Sequence, residues 1–154
     1  MDYPIKVFEI NSPDGDCIKM EILEVYGFPN GTSFRGGYDI LCSLEINAEA
    51  YSIRSERYYS ATGALYDFYV AMRNCYDKLN GKAIYKVFHA ENDLEFEVNF
   101  DNGKVKVSGS YQDNPHVKNV LGFEFISDQS YFNEVLNDLK KIVLLFGDNK
   151  GKRK

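Results

Sequence analysis

Twice along this chain, apolar residues spaced two apart give way to apolar residues spaced three and four apart, and that switch constrains the fold more than any other feature. A period of two marks a strand with one buried face, and a period near 3.6 marks a helix with one buried stripe. Lys6 to Ile10 reads as a short strand closed by the turn residues Asn11-Ser12-Pro13-Asp14-Gly15-Asp16. Ile18, Met20 and Ile22 alternate with Lys19 and Glu21 as a second, half-buried strand. After a glycine-rich loop from Gly27 to Gly37, Tyr38 to Ile46 and Tyr51 to Tyr59 form a hairpin around Asn47-Ala48-Glu49. The period then changes. Leu65, Phe68, Tyr69, Met72, Cys75, Tyr76 and Leu79 make one helical stripe, with Ser60 or Thr62 as its expected cap and Asn80-Gly81 as its left-handed stop.

The second half repeats the plan. Ala83 to Phe88, Leu94 to Phe100, Lys104 to Tyr111 and Leu121 to Ile126 read as strands, and Asp101-Asn102-Gly103 is a strong hairpin signal. Ser127-Asp128-Gln129-Ser130 opens a last helix whose stripe is Phe132, Val135, Leu136, Leu139, Ile142, Val143 and Phe146, ending at Gly147. The two stripes superpose at an offset of 67 residues, Leu65 on Phe132 through to Leu79 on Phe146, with Ser60 on Ser127. That register suggests a duplicated strands-then-helix unit, although two unrelated amphipathic helices align in the same way. Either origin predicts the α+β class: a mainly antiparallel sheet with two amphipathic helices packed on it.

With 154 residues, 44% of them hydrophobic, the chain suits one domain, expected over 1–147 with a basic frayed tail over 148–154. Its folded surface should be roughly 8,000 Å². Net charge is −5, but Lys150, Lys152, Arg153 and Lys154 mask part of the imbalance, and residues 1–149 carry 14 basic and 23 acidic side chains. Such a surface repels nucleic acid and speeds encounter with basic partners; acidity also serves solubility alone. The tail could touch RNA, or simply solubilise a chain end. Cys17, Cys42 and Cys75 have no Cys-x-x-Cys spacing and fit reduced, packed thiols. The start, Met1-Asp2-Tyr3-Pro4, is unlike a signal peptide, and no apolar run approaches the ~20 residues of a membrane span, so the cytoplasm is the expected compartment and no membrane partner is expected.

Motifs for chemistry are sparse. Gly31 to Gly37 is glycine-rich but lacks the Gly-Lys-Ser/Thr of a phosphate cradle. His89, Glu91 and Asp93 would share a face of a continuous strand and could hold a metal, but a turn is expected at residues 90–93 and would scatter them. His116 follows Asn114-Pro115 in a loop. No cofactor, metal site or catalytic residue is assigned. The most suggestive stretch is residues 91–101. Leu94, Phe96, Val98 and Phe100 take one face and Glu95, Glu97 and Asn99 the other; with Glu91, Asp93 and Asp101 these form an acidic strip. It is either the wet side of a sheet covered on one face or a docking face for a basic protein.

Gly122-Phe123-Glu124-Phe125-Ile126-Ser127-Asp128-Gln129-Ser130-Tyr131, with Leu136, Leu139, Ile142 and Phe146 beyond it, resembles the closing segment of the WapI-like immunity proteins. The order of strands, middle helix, strands and final helix over residues 5–147 is similar too, and Tyr38-Asp39-Ile40-Leu41 meets part of the family's entry to its central strand. The resemblance implies a cytosolic antidote that binds and blocks a secreted contact-dependent toxin, commonly a nuclease. It carries no binding residue over. The acidic body makes a basic toxin the expected partner. The alternative is a small ligand-binding or enzymatic domain with a pocket between sheet and helices, near His89 or His116.

Overall fold

The computed structural model describes residues 1–87 and 89–153. Its elements follow the order β1 (Ile5–Asn11), β2 (Cys17–Val25), β3 (Asp39–Ala48), β4 (Tyr51–Ala61), α1 (Thr62–Lys78), β5 (Asn80–Lys86), β6 (Asp93–Asp101), β7 (Lys104–Gln112), β8 (Val120–Asp128), a 3-10 turn over Gln129–Tyr131, and α2 (Phe132–Phe146). Strands β1 to β4 form one antiparallel meander, sheet A, and β5 to β8 form a second, sheet B. The α+β reading holds, with two four-stranded sheets rather than one. Each meander is followed by its helix. The fifth strand begins earlier than its apolar run suggested, and Phe88, its expected end, lies outside the described residues.

The alternating residues meet in one core. Phe8 of sheet A lies 6.0 Å from Phe68 of α1 and 5.9 Å from Phe96 of sheet B, ring centre to ring centre. Phe96 in turn stacks on Tyr85 and meets Phe68 edge-on, so one aromatic cluster joins both sheets and the first helix. Tilted and edge-on pairs of this kind add to the burial of the rings themselves. The helices pack against each other and close one side of the sandwich, α2 over β1 and α1 over β5. Folded surface amounts to 8546 Å².

The offset of 67 residues survives in burial at four positions up to Cys75 and Ile142, while Tyr69 is half-buried where Leu136 is buried. Leu65 and Phe132, Phe68 and Val135, Met72 and Leu139, and Cys75 and Ile142 are all buried. The last pair breaks the match: Phe146 is fully buried, whereas Leu79 is 41% exposed at φ 57. Leu79, not Asn80-Gly81, therefore supplies the left-handed stop, and Asn80 already belongs to β5. Neither Ser60 nor Thr62 caps α1 in the expected manner. Its cap residue is Ala61, and Thr62 is bound to β3 instead: its N–H donates to the Tyr38 carbonyl and its Oγ1 accepts from the Tyr38 N–H, both at 2.8 Å.

The glycine-rich loop explains that arrangement. Gly63 N–H donates to the Gly36 carbonyl at 3.0 Å, and a Cβ on Gly63 would sit 2.6 Å from that carbonyl. Small residues here let the loop press onto the start of α1. The helix's first two N–H groups are thus taken by backbone carbonyls. Past Gly147 the chain, expected to be frayed, turns back on itself. Asp148 accepts from the N–H groups of Lys150 and Lys152, and Gly151 packs on Tyr38 and Thr32. Lys154 lies outside the described residues.

Candidate functional site

Sheet B turns one face to the core and one to solvent. On β6, Leu94, Phe96, Val98 and Phe100 are buried, while Asp93, Glu95 and Asp101 are exposed and Glu97 is half-buried. The alternation read from the sequence is therefore the alternation of the fold, and four of the five acidic strip residues lie in one line on the outer face. Glu91 stands apart, exposed in the loop before β6.

The neighbouring strands change the chemistry of that line. Lys86 Nζ lies 3.3 Å from Glu95, Lys82 Nζ 3.9 Å from Glu97, and Lys106 Nζ 3.1 Å from Glu124 on β8. Lys104 sits opposite Asp101 in the β6–β7 register. The strip is thus one row of a mixed face, with Lys82 and Lys86 on one flank and Lys104 and Lys106 on the other. These lysines were visible in the sequence, but only pairing of β5 and β7 with β6 brings them beside the acids. The side chains are largely exposed, and pairs of that kind contribute about 0–1 kcal/mol each. Between Glu95 and Glu97 the face dips over Ser108, Gly109 and Ser110, leaving a shallow concavity of about 280 Å³.

A second polar region lies where β4 runs across the strand ends of sheet B. Tyr58 and Tyr85 hydroxyls are 2.7 Å apart, and the Ser60 and Tyr85 hydroxyls 2.6 Å. All three side chains are buried. Burial pushes both phenols up, and the Cys42 thiol beside them too, so the cluster stays protonated and Cys42 is packing material rather than a nucleophile. Farther along, Asn92 is 2% exposed; its Nδ2 donates to the Arg57 carbonyl at 2.7 Å and its Oδ1 accepts from the Tyr59 N–H at 3.4 Å. One amide thereby serves two backbone groups on the outer edge of β4.

The residues once grouped for a metal separate. His89 stacks on Tyr59, with ring centres 5.1 Å apart, and its Nδ1 accepts from the Glu91 N–H at 3.1 Å. Glu91 follows in the loop, and Asp93 begins β6. Among the described residues no group of His, Cys, Asp or Glu is arranged to hold a metal ion. His116 N–H donates to Asn114 Oδ1 within its own loop. Cys17 is half-buried and accepts from Asn47 Nδ2, whereas Cys42 and Cys75 are buried as expected. Among the described residues no helix is long and apolar enough to cross a membrane.

Set against known protein families, residues 9–147 match the model of the immunity protein WapI-like family. No curated protein and no solved structure matches the chain.

Proposed function

The chain belongs to the WapI-like family of immunity proteins, and from that premise we propose that it neutralises a basic, contact-delivered nuclease toxin in the cytoplasm by stoichiometric binding. Family membership implies an immunity protein against a toxin and a binding role rather than a catalytic one. The outer face of sheet B is the docking surface in this reading, through Asp93, Glu95, Glu97 and Asp101, with Glu91 at its margin.

The observation that carries this choice of face is the line of carboxylates on β6, held on a central strand and engaged in solvent-accessible ion pairs. Their lysine partners are exposed and weakly held, so an incoming arginine or lysine displaces them at small cost. A guanidinium gains more than the ammonium it replaces, because its planar fork matches a carboxylate in two places. The acidic body steers a basic protein toward the face before contact. A standard interface of about 800 Å² per partner is close to a tenth of the 8546 Å² available.

Co-expression with the toxin encoded immediately upstream tests the reading. Rescue of growth and co-purification of a one-to-one complex are expected. Absence of both sinks the antidote reading, and rescue that persists in Glu95→Lys with Glu97→Lys moves the docking surface elsewhere.

A further inference from the structure

Strand β4 is the last strand of sheet A and β8 the last of sheet B, and each has a strand partner on one side only. Residues 51–55 of β4 border a groove of about 620 Å³, whose other wall is Tyr111, the loop after β7 and the first residues of β8. The latter half of the β4 flank is closed by Asn92, which takes the Arg57 carbonyl and the Tyr59 N–H. Among the described residues, the backbone of residues 51–55 is paired with β3 alone. Unpaired strand edges are templates for another strand, and folded proteins usually blunt them.

The groove also has a chemical character. Tyr51 and Val120, 67% and 59% exposed, face it from its two walls together with Ile53 and Leu121. Its charged lining is Arg54, Lys118 and Asp113. Asp113 is already engaged, its Oδ1 accepting from the Tyr111 hydroxyl at 2.5 Å and the Ser55 hydroxyl at 3.2 Å. Arg54 reaches Glu45 at 3.6 Å but is 76% exposed, a pair that is easily exchanged. The lining thus carries two cations against one carboxylate, a small positive excess on a protein of net charge −5.

We propose that this groove is a second docking surface, which receives an extended acidic segment of a partner protein as a strand added to the open edge of β4. Backbone hydrogen bonds to residues 51–55 hold the segment, alternate apolar side chains settle against Ile53 and Val120, and its carboxylates meet Arg54 and Lys118. A second copy of this chain is the poorer occupant. A two-fold contact applies the same patch to itself, so the cations of one copy face a surface carrying the same cations. The proposal does not depend on the toxin reading or on the outer face of sheet B.

The test uses the full chain and two labelled short peptides, one alternating valine with glutamate and one alternating valine with lysine, followed by fluorescence anisotropy at low salt. The glutamate peptide should bind, slow hydrogen exchange at the amides of residues 51–55, and lose affinity roughly tenfold in Lys118→Glu or Arg54→Glu. Lys118 lies in a surface loop and Arg54 is exposed, so neither variant threatens folding. Equal binding of the lysine peptide overturns the proposal. So does binding of neither peptide, protection confined to other strands, unchanged affinity in both variants, or a dimer in light scattering that the peptide fails to compete with. Toxin rescue is read separately: no peptide binding by the unsubstituted chain, with rescue intact, sinks this proposal alone.

Discussion

Strands β4 and β6 each carry many polar residues, and they put them to opposite uses. On β6 the polar residues all face outward, and the apolar ones between them hold the core. On β4 the pattern Tyr51–Ala61 is polar almost throughout, yet Tyr58 and Ser60 are fully buried and bonded to Tyr85, and the Arg57 carbonyl and Tyr59 N–H are bonded by Asn92 from the turn before β6. The difference is position. A central strand pairs on both sides and buries one face, whereas β4 is an edge strand laid across the ends of sheet B, so its polar groups need partners from that sheet. Stability should therefore respond to changes at the β4 crossing and its core, whereas β6 tests the proposed docking face through partner binding.

The largest break comes from the cluster beneath both strands. Phe96→Ala removes the ring that touches Phe8, Phe68, Tyr85 and Phe123, and a loss of about 3–5 kcal/mol is expected in urea unfolding. Next is the buried hydroxyl cluster. Tyr85→Phe strands the Tyr58 and Ser60 hydroxyls, each bonded to Tyr85, and should cost about 1–3 kcal/mol with little change in shape; an unchanged midpoint would show that the cluster contributes nothing. Asn92→Ala frees two backbone groups at the β4 edge, where water can partly replace the amide, and about 1–2 kcal/mol is expected, with faster hydrogen exchange at Tyr59.

The β6 side of the comparison predicts the reverse. Glu95→Lys with Glu97→Lys should shift folding stability by no more than about 0.5 kcal/mol, because both carboxylates sit in exposed pairs. Association with the toxin should slow by about tenfold or more at low salt, as seen in stopped-flow mixing. A large stability loss with unchanged association would invert the comparison. The smallest effect is a pH dependence at His89. Burial first, then the nearby Arg35, lowers its pKa below 6.5, and Nδ1 serves as an acceptor that protonation would block. A group that binds its proton less readily when folded stabilises the fold fully above its unfolded value. Stability should thus decline as pH falls below 6.5 toward the lower folded value, and His89→Gln should flatten that slope in denaturant titrations between about pH 5 and pH 8.

Much of this was legible in one dimension. Alternation along residues 94–100 named the buried and exposed sides of β6 residue by residue, and Asp101-Asn102-Gly103 marked a hairpin whose Asn102 and Gly103 do take positive φ. The stripes of α1 and α2 pointed to their buried faces. The clip by Asn92 was not legible, since it sits in an acidic turn among residues that look solvated, and neither was burial of Tyr58 and Ser60. The lysines beside the acidic strip were equally hidden, because Lys86 and Glu95 are nine positions apart in the chain and adjacent only through register.

Sequence alone determined what local geometry governs: the repeat of strands then helix, the inward face of each element, the tight turns and the closing segment that carries the family likeness. Those follow from backbone periods that any short stretch expresses for itself. Only the tertiary structure decided which polar residues are buried, how the charges pair across sheet B, and where the edge of β4 borders a groove. Each of these depends on pairing between residues far apart in the chain, and no local period encodes that pairing.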